Sequence, residues 1–423
     1  MSDLQLSERD QAMLNGKHGP ATAMAMSIMT RFAKVSNAER LFDVTQAHID
    51  GCIYEGEATL EFAEKLACLG GQVVVPTTLN VSSLDEKHWQ EFDVSREWAE
   101  KAGRLMKSYI SMGCIPTWTC APYQVAMIPE FGQQIAWAES NAIVFANSVL
   151  GARTNRYGDL IDICAALTGR APLCGLHITE NRRGQLLFRL REIPPELFDD
   201  ESFYPIFGYM VGRLAGESIP VIEGIPQVVS EDSLKAFGAA AASSGSVALF
   251  HMVGITPEAP THEAAFQGRV PEQAIDNYLD DLRAERKRLT TAEGEKLDVV
   301  VLGSPHFSAA EFKRLVPLVL GKQCHPDVKF LITSSRAMYE IIEKAGLVQS
   351  LRDFGVRISV DTCILNMPML KPEMRILMTN SAKYAHYVPG RLGLEVVFGS
   401  MADCVQSAIE GCVRLKEDLW NKS

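Results

Sequence analysis

The chain has 423 residues, 47% of them hydrophobic and 22% charged, which is enough for two or three domains around a large core and excludes a disordered protein. Forty-one Lys and Arg against 52 Asp and Glu leave a formal charge of -11. With no basic run interleaved with aromatics, this balance argues against nucleic acid or an anionic membrane as partner.

Met1 to Asp10 is polar and acidic, without the basic stub and apolar stretch of a secretory signal, so a cytoplasmic location is expected. Helices are predicted over Ala21–Val35, Glu57–Leu69 and Ser95–Met112, the last two ending at glycines, with a short buried strand over Gln72–Pro76. From about Ile219 the pattern becomes short β-branched runs, each followed by an amphipathic segment. Strands are expected within Ser246–Val253, Leu297–Leu302, Val328–Thr333, Val356–Val360, Arg375–Thr379 and Leu394–Phe398, and a last helix over Met401–Leu419. Phe237–Ile255 is broken by Ser243, Ser244, Ser246 and His251 and reads as core, not as a membrane span. Alternating strands and helices imply an α/β protein with mostly parallel sheets, whose functional loops follow strand ends. Two interlocked regions, about 1–215 and 216–423, are expected, because no linker or repeat separates them.

Ten cysteines without a CxxC spacing leave three fates in a reducing compartment: buried thiol, reactive thiolate, or metal ligand contributed from a distance. Cys120 lies in a turn bracketed by Pro116 and Pro122, Cys363 directly follows the Val356–Val360 strand, and Cys404 opens the last helix. His48 and Asp50 lie two residues apart, hence on one side of an extended chain, although such a pair also serves merely to close a loop. Glu139-Ser140-Asn141, followed by Arg153-Thr154-Asn155-Arg156, is dense in hydrogen-bonding groups, and its guanidiniums suit a carboxylate or phosphate as well as a solvated loop. No Walker lysine motif or GxGxxG accompanies it. Thr77-Thr78-Leu79-Asn80 and Asn380-Ser381-Ala382-Lys383 each sit at a predicted strand end, where Lys383 is equally a surface lysine, an anion anchor or a base.

As a set these segments resemble the large subunit of the aconitase X family. The resemblance is carried by His48-Ile49-Asp50-Gly51, Val75 to Asn80, Thr119-Cys120-Ala121-Pro122-Tyr123, Glu139 to Ala142 with Gly151 to Arg156, Asp361-Thr362-Cys363, and Asn380 to Tyr387. Many blocks in order across nearly the whole chain make it more specific than any single motif.

The resemblance implies an aconitase-like multidomain α/β/α architecture that lacks the swivel domain, which would then be a separate small subunit. It also implies an iron-sulfur cluster held by Cys120, Cys363 and Cys404, of unspecified nuclearity and with a mononuclear iron as the alternative, acting as Lewis acid in the elimination of water from a small hydroxy acid. The segment around Cys120 is similar to the bacterial members that dehydrate cis-3-hydroxy-L-proline to Δ1-pyrroline-2-carboxylate. In that reading Thr154, Asn155, Arg156 and Lys383 hold the carboxylate, and Lys383 is also a candidate base. His48 and Asp50 orient the hydroxyl or shuttle its proton, while Asn80, Glu139, Ser140 and Asn141 complete a polar wall. The alternatives are dehydration of mevalonate 5-phosphate, with Arg153 and Arg156 on the phosphate, and a cluster-free binding or regulatory subunit.

Overall fold

The computed structural model describes residues 4–92, 94–416 and 418–420. The chain forms two compact units, Met1–Arg183 and Gly184–Ser423.

In the first unit the three predicted helices form with nearly the expected bounds, at Pro20–Val35, Glu57–Cys68 and Arg96–Ser111. Pro20 sits in the first turn, where a missing N–H costs nothing, and the Ser95 hydroxyl caps the third helix by accepting from the Trp98 N–H at 3.2 Å. The strands are short: β1 (Leu41–Asp43), β2 (Ala47–Ile49), β3 (Thr77–Leu79), β4 (Ala136–Trp137) and β5 (Arg170–Pro172). β1 and β5 pair antiparallel, while β2 lies between parallel β3 and β4, with His48 opposite both Thr78 and Trp137. The strand expected at Gln72–Pro76 is displaced: Val73 and Val74 bond Met112 and Ala166 of other segments, and pairing with β2 begins at Thr77, after Pro76, which has no N–H to give.

The N-terminal helix Glu8–Leu14 is pinned by a buried ion pair. Arg170 donates from Nε and Nη2 to the two carboxylate oxygens of Asp10 at 2.8 and 3.1 Å. Burial alone would raise the Asp10 carboxyl, but hydrogen bonds from Arg170 and Ser7 bring it below its ordinary value. The folded pKa therefore lies below the unfolded one, so this stabilisation is complete at neutral pH and disappears as pH falls through the lowered value. Asp10→Ala is expected to cost about 2 kcal/mol at pH 7, because the buried guanidinium loses its bidentate partner and keeps only Asp43 at 2.9 Å and the Leu41 carbonyl at 3.1 Å, and much less at pH 3, measured as denaturant midpoints at the two pH values.

The second unit carries two all-parallel sheets. β6 (Leu186–Leu190), β7 (Pro220–Glu223), β8 (His251–Met252) and β9 (Gln273–Asn277) are ordered β8-β7-β6-β9. β10 (Val299–Leu302), β11 (Lys329–Ser334), β12 (Val356–Val360), β13 (Ile376–Thr379) and β14 (Glu395–Phe398) are ordered β12-β11-β10-β13-β14. The expected boundary at 215/216 falls inside this unit, because β6 already pairs with β7 and β9, and Phe207 of helix Phe203–Ala215 packs on Phe237 of helix Glu231–Ser244. Two elements are shorter than expected. Only His251–Met252 of the 246–253 run pairs, and the last helix is Met401–Glu410, stopped by Gly411 in the left-handed conformation. Among the described residues no helix is long and apolar enough to cross a membrane.

Candidate active site

In the first unit the polar residues gather where the parallel strands end. Asp50 and Asn80 each follow the last residue of a strand, and Glu139 comes two residues after β4. The strand order reverses at β2, the place where open parallel sheets bind ligands. The Asn80 amide donates to the Asp50 carboxyl. His48 is fully buried, its Nδ1 2.8 Å from the Thr78 hydroxyl, and burial lowers its pKa to about 3, so the ring is neutral. Burial and the neighbouring acids Asp159, Glu139 and Asp162 push the Asp50 carboxyl well above the ordinary carboxylate range. Asp162, raised to about 6 mainly by burial, accepts from the Asp50 and Gly51 N–H groups at 2.7 and 3.0 Å.

Glu139 has φ 74° and caps helix Ser140–Ser148, its carboxylate accepting from the Ala142 N–H at 2.7 Å; the Ser140 hydroxyl donates to it at 3.3 Å. Buried Asn141 donates to the Cys120 carbonyl at 2.9 Å and to the Tyr123 hydroxyl at 3.0 Å, which fixes the Cys120 loop. Buried polar atoms in this region without a partner among the described residues include His48 Nε2, Asn80 Oδ1 and Asn141 Oδ1.

Two of the expected carboxylate-binding residues are engaged by the protein itself. The Thr154 hydroxyl clamps β4, accepting from the Trp137 N–H at 3.0 Å, and Asn155 holds the Cys174 carbonyl and the Leu176 N–H at 3.1 and 2.7 Å. Their side chains therefore position the segment rather than face a ligand. Arg153 is likewise spent on Thr179 at 2.7 Å, whereas Arg156 is exposed.

In the second unit the strand order of the larger sheet reverses between β10 and β13. At that point lies a cavity of about 40 Å³ lined by Lys235, Ser304, Arg314, Asn380, Ser381 and half-buried Lys383. Gly303 leaves β10 with φ 100° because a Cβ there would overlap the Thr333 carbonyl oxygen. Lys235 is buried and paired with Asp232 at 3.0 Å and Glu311 at 2.6 Å, and it also donates to the His306 carbonyl at 3.2 Å. His306, lowered to about 4 by burial and so neutral, donates from Nε2 to the Thr362 carbonyl at 3.0 Å. Asp361 adopts φ 67° and is held by the Arg336 N–H at 2.9 Å and its guanidinium at 2.5 Å. These contacts fix the backbone on the N-terminal side of Cys363.

The three thiols differ in setting. Burial raises the Cys363 thiol, and the nearby Leu365 and Asn366 backbone N–H groups, followed by the cations Lys383 and Arg391, pull the other way, toward the thiolate. A thiol whose surroundings favour its anion suits iron, because the thiolate is the form that ligates. Cys120 is a buried loop thiol at the strand ends of the first unit. Cys404 does not fit. It is fully buried within the apolar core that includes Val300, Leu302, Met378, Val397 and Met401, and burial followed by the charges of Asp403 and Glu201 pushes its thiol well up. Cys404 therefore does not fit the expected ligand set, and among the described residues no group of three His, Cys, Asp or Glu converges as a metal site.

Sequence reasoning did not single out Asp162, Lys235 or His306, which reach their partners only through the fold. The comparisons cover most of the chain. Residues 3–180, 184–287 and 297–410 match the first, second and third domains of aconitase X. The cis-3-hydroxy-L-proline dehydratase of Pseudomonas aeruginosa is 47% identical over 96% of this chain and 70% of its own length, and that of Hypocrea jecorina is 47% identical over 96% and 69%. The phosphomevalonate dehydratase large subunit of Methanothermobacter thermautotrophicus is 34% identical over 95% and 98%. The crystal structure of Thermococcus kodakaraensis aconitase X in its holo-form superposes with a TM-score of 0.85 at 31% identity, covering 96% of this chain and all of that one. With all three domain profiles matched in order and relatives this similar, the chain belongs to the aconitase X family.

Proposed function

We propose that this chain is the large, substrate-binding part of a hydro-lyase that dehydrates cis-3-hydroxy-L-proline to Δ1-pyrroline-2-carboxylate. The observation that carries the reading is the 47% identity, over 96% of the chain, to dehydratases of that name; the phosphomevalonate dehydratases stand lower, at 34%. A separate small subunit of the swivel type is part of the proposal, since relatives are named as large subunits.

The residues at the strand ends fit an elimination. Asp50, its carboxyl held well above the ordinary range by burial and neighbouring acids, is the group assigned to give a proton to the departing hydroxyl oxygen. Asn80 holds that carboxyl in place, and neutral His48 presents Nε2 to the substrate as an uncharged hydrogen-bonding group. Arg156 and Lys383 are the cations assigned to the carboxylate, and Glu139, Ser140 and Asn141 form the polar wall. Cys120 and Cys363 are the thiols assigned to an iron-sulfur group, which when bound supplies Lewis acidity toward the hydroxyl oxygen. As the C–O bond breaks, a base, for which Lys383 is the candidate, takes the proton from the carbon that bears the carboxylate, and the enamine product then tautomerises to the cyclic imine.

The test is water loss from cis-3-hydroxy-L-proline and from mevalonate 5-phosphate by the chain reconstituted anaerobically with iron and sulfide and mixed with its small subunit. Turnover of the amino acid supports the reading; turnover of mevalonate 5-phosphate alone overturns it. Arg156→Ala is expected to lower kcat/KM about 10- to 100-fold, the worth of one charge-assisted hydrogen bond, with Arg156→Lys recovering part of the loss in the same assay.

A further inference from the structure

The ion triad of the second unit takes no part in the elimination, yet all three of its members grip the turn that leaves β10. Lys235, on helix Glu231–Ser244 and 1% exposed, is paired with Asp232 and Glu311. Its ammonium donates to the His306 carbonyl at 3.2 Å, the Ser308 N–H donates to the Glu311 carboxylate at 2.8 Å, and the Ser308 hydroxyl donates to Asp232 at 2.9 Å. Phe307, between them, is bonded through its N–H and carbonyl to Thr333 and Ser334 of β11. The His306 ring, 2% exposed, reaches across to the loop after β12 and donates from Nε2 to the Thr362 carbonyl at 3.0 Å. Thr362 is the residue before Cys363.

Stability alone is a poor reason for this arrangement. A buried ion cluster gains little over apolar side chains of the same volume, because desolvation consumes most of the attraction. Apolar side chains could not, however, hold a carbonyl, an N–H and a hydroxyl of one turn in fixed directions. The two residues before Cys363 are then fixed from two elements: Arg336 of helix Arg336–Lys344 grips Asp361, and His306 grips Thr362. On the far side the Cys363 carbonyl accepts from the Asn366 and Met367 N–H groups at 3.1 and 3.0 Å. The Arg336 hold is anchored in a helix. The His306 hold is only as firm as its turn, whose first and last residues the triad secures.

We propose that the triad of Lys235, Asp232 and Glu311, acting through His306, is a clamp that holds the Cys363 loop in position for its thiolate to ligate iron. The proposal rests on the assignment of Cys363 to an iron-sulfur group in the reading above, and adds to it the residues that preorganise that ligand. Hydrogen bonds one shell out from a metal ligand orient it and so govern how firmly the metal is kept. Lys235 and His306 act through the Thr362 peptide and are positioning residues rather than catalytic ones. The clamp requires a donor at position 306 and an ammonium at position 235, whatever the charge balance of the triad.

The experiment uses the full chain as wild type, His306→Leu, His306→Gln and the charge-neutral triple variant Lys235→Met, Asp232→Asn, Glu311→Gln. Each is reconstituted anaerobically with iron and sulfide and read by the rate at which a chelator removes the iron. Each is also read, metal-free, by the rate at which iodoacetamide alkylates Cys363, followed by mass spectrometry, with thermal melts alongside. His306→Leu is expected to speed iron loss about 10- to 100-fold, the usual effect of removing an outer-shell partner, and alkylation about 10-fold as the loop opens. His306→Gln, whose amide nitrogen reaches the place of Nε2, should stay within about threefold of wild type on both readings. The triple variant should melt close to wild type yet lose iron about 10-fold faster, because no ammonium holds the His306 carbonyl. A purely structural role predicts instead that iron loss follows melting temperature across the set. Wild-type rates in either His306→Leu or the triple variant overturn the clamp, and if His306→Leu does not fold, the triple variant carries the test by itself. If the wild type takes up no iron, the assignment of Cys363 fails separately; alkylation then supports the hold on the loop if it is faster in both variants and overturns it if unchanged. None of these readings uses substrate, so an iron-loaded wild type, mixed with its small subunit, that does not dehydrate cis-3-hydroxy-L-proline overturns the dehydratase reading alone.

Discussion

Cys363→Ser is expected to lower dehydration of cis-3-hydroxy-L-proline by at least about 10³-fold, since Lewis-acid assistance supplies several kcal/mol of a barrier in which each 1.36 kcal/mol is tenfold. Iron retained after anaerobic reconstitution should fall with it. Cys404→Ser separates the roles of the two thiols. Its side chain lies in apolar core, so the expected result is normal iron content and normal kcat at low temperature, with a stability loss of about 1–3 kcal/mol from a buried hydroxyl. Iron analysis and thermal melts on the two variants decide the matter. Loss of iron in Cys404→Ser without loss of stability would return that residue to the ligand set.

Lys235→Met has the second large effect, on stability. The ammonium is buried between Asp232 and Glu311, and its removal leaves two partly buried carboxylates side by side. The expected cost is about 3–5 kcal/mol, or a melting temperature lower by about 10 °C for a unit of this size. The triple variant Lys235→Met, Asp232→Asn, Glu311→Gln should regain most of it, because uncompensated charge rather than lost packing dominates. The pairing outweighs the desolvation that would lower the Lys235 pKa, so that value lies above its ordinary one. This contribution is therefore complete at neutral pH and lost only as pH rises through the raised lysine value. A single variant as stable as wild type would refute the buried triad as a stabilising element.

Much of this was legible from residue order. The helices at 20–35, 57–68 and 96–111 are marked by Pro20 in the first turn of the first, by glycines just past the ends of the other two and by the Ser95 cap of the third, and the β-branched runs of the larger sheet predict its parallel strands within one or two residues. Asp50, Asn80, Glu139 and Lys383 were identifiable because strand ends are where α/β sheets hold chemistry. What failed has a common cause, namely that a side chain's partner is invisible until the chain folds. Thr154 and Asn155 look like ligand donors until Trp137, Cys174 and Leu176 are found to occupy them. Asp162 looks like a helix-start acid until the Asp50 and Gly51 N–H groups are found on it. For Cys404 the residue order itself carries the signal: Met401, Cys404, Val405 and Ala408 follow helical spacing, which is the mark of a core stripe.

The brevity of the strands in the first unit bears on how firmly its strand ends are held. β2 and β3 have three residues each and β4 has two, too few for the ladder alone to be rigid. Several peptide N–H groups there are instead captured by side chains: Leu79 by Thr117, Trp137 by Thr154, and both Asp50 and Gly51 by Asp162. Amide hydrogen exchange at these four positions should thus respond to single side-chain truncations rather than to global unfolding. Thr154→Val would speed exchange at Trp137 while leaving that at Leu79 unchanged, so the rigidity of this edge is divisible into separately adjustable pins.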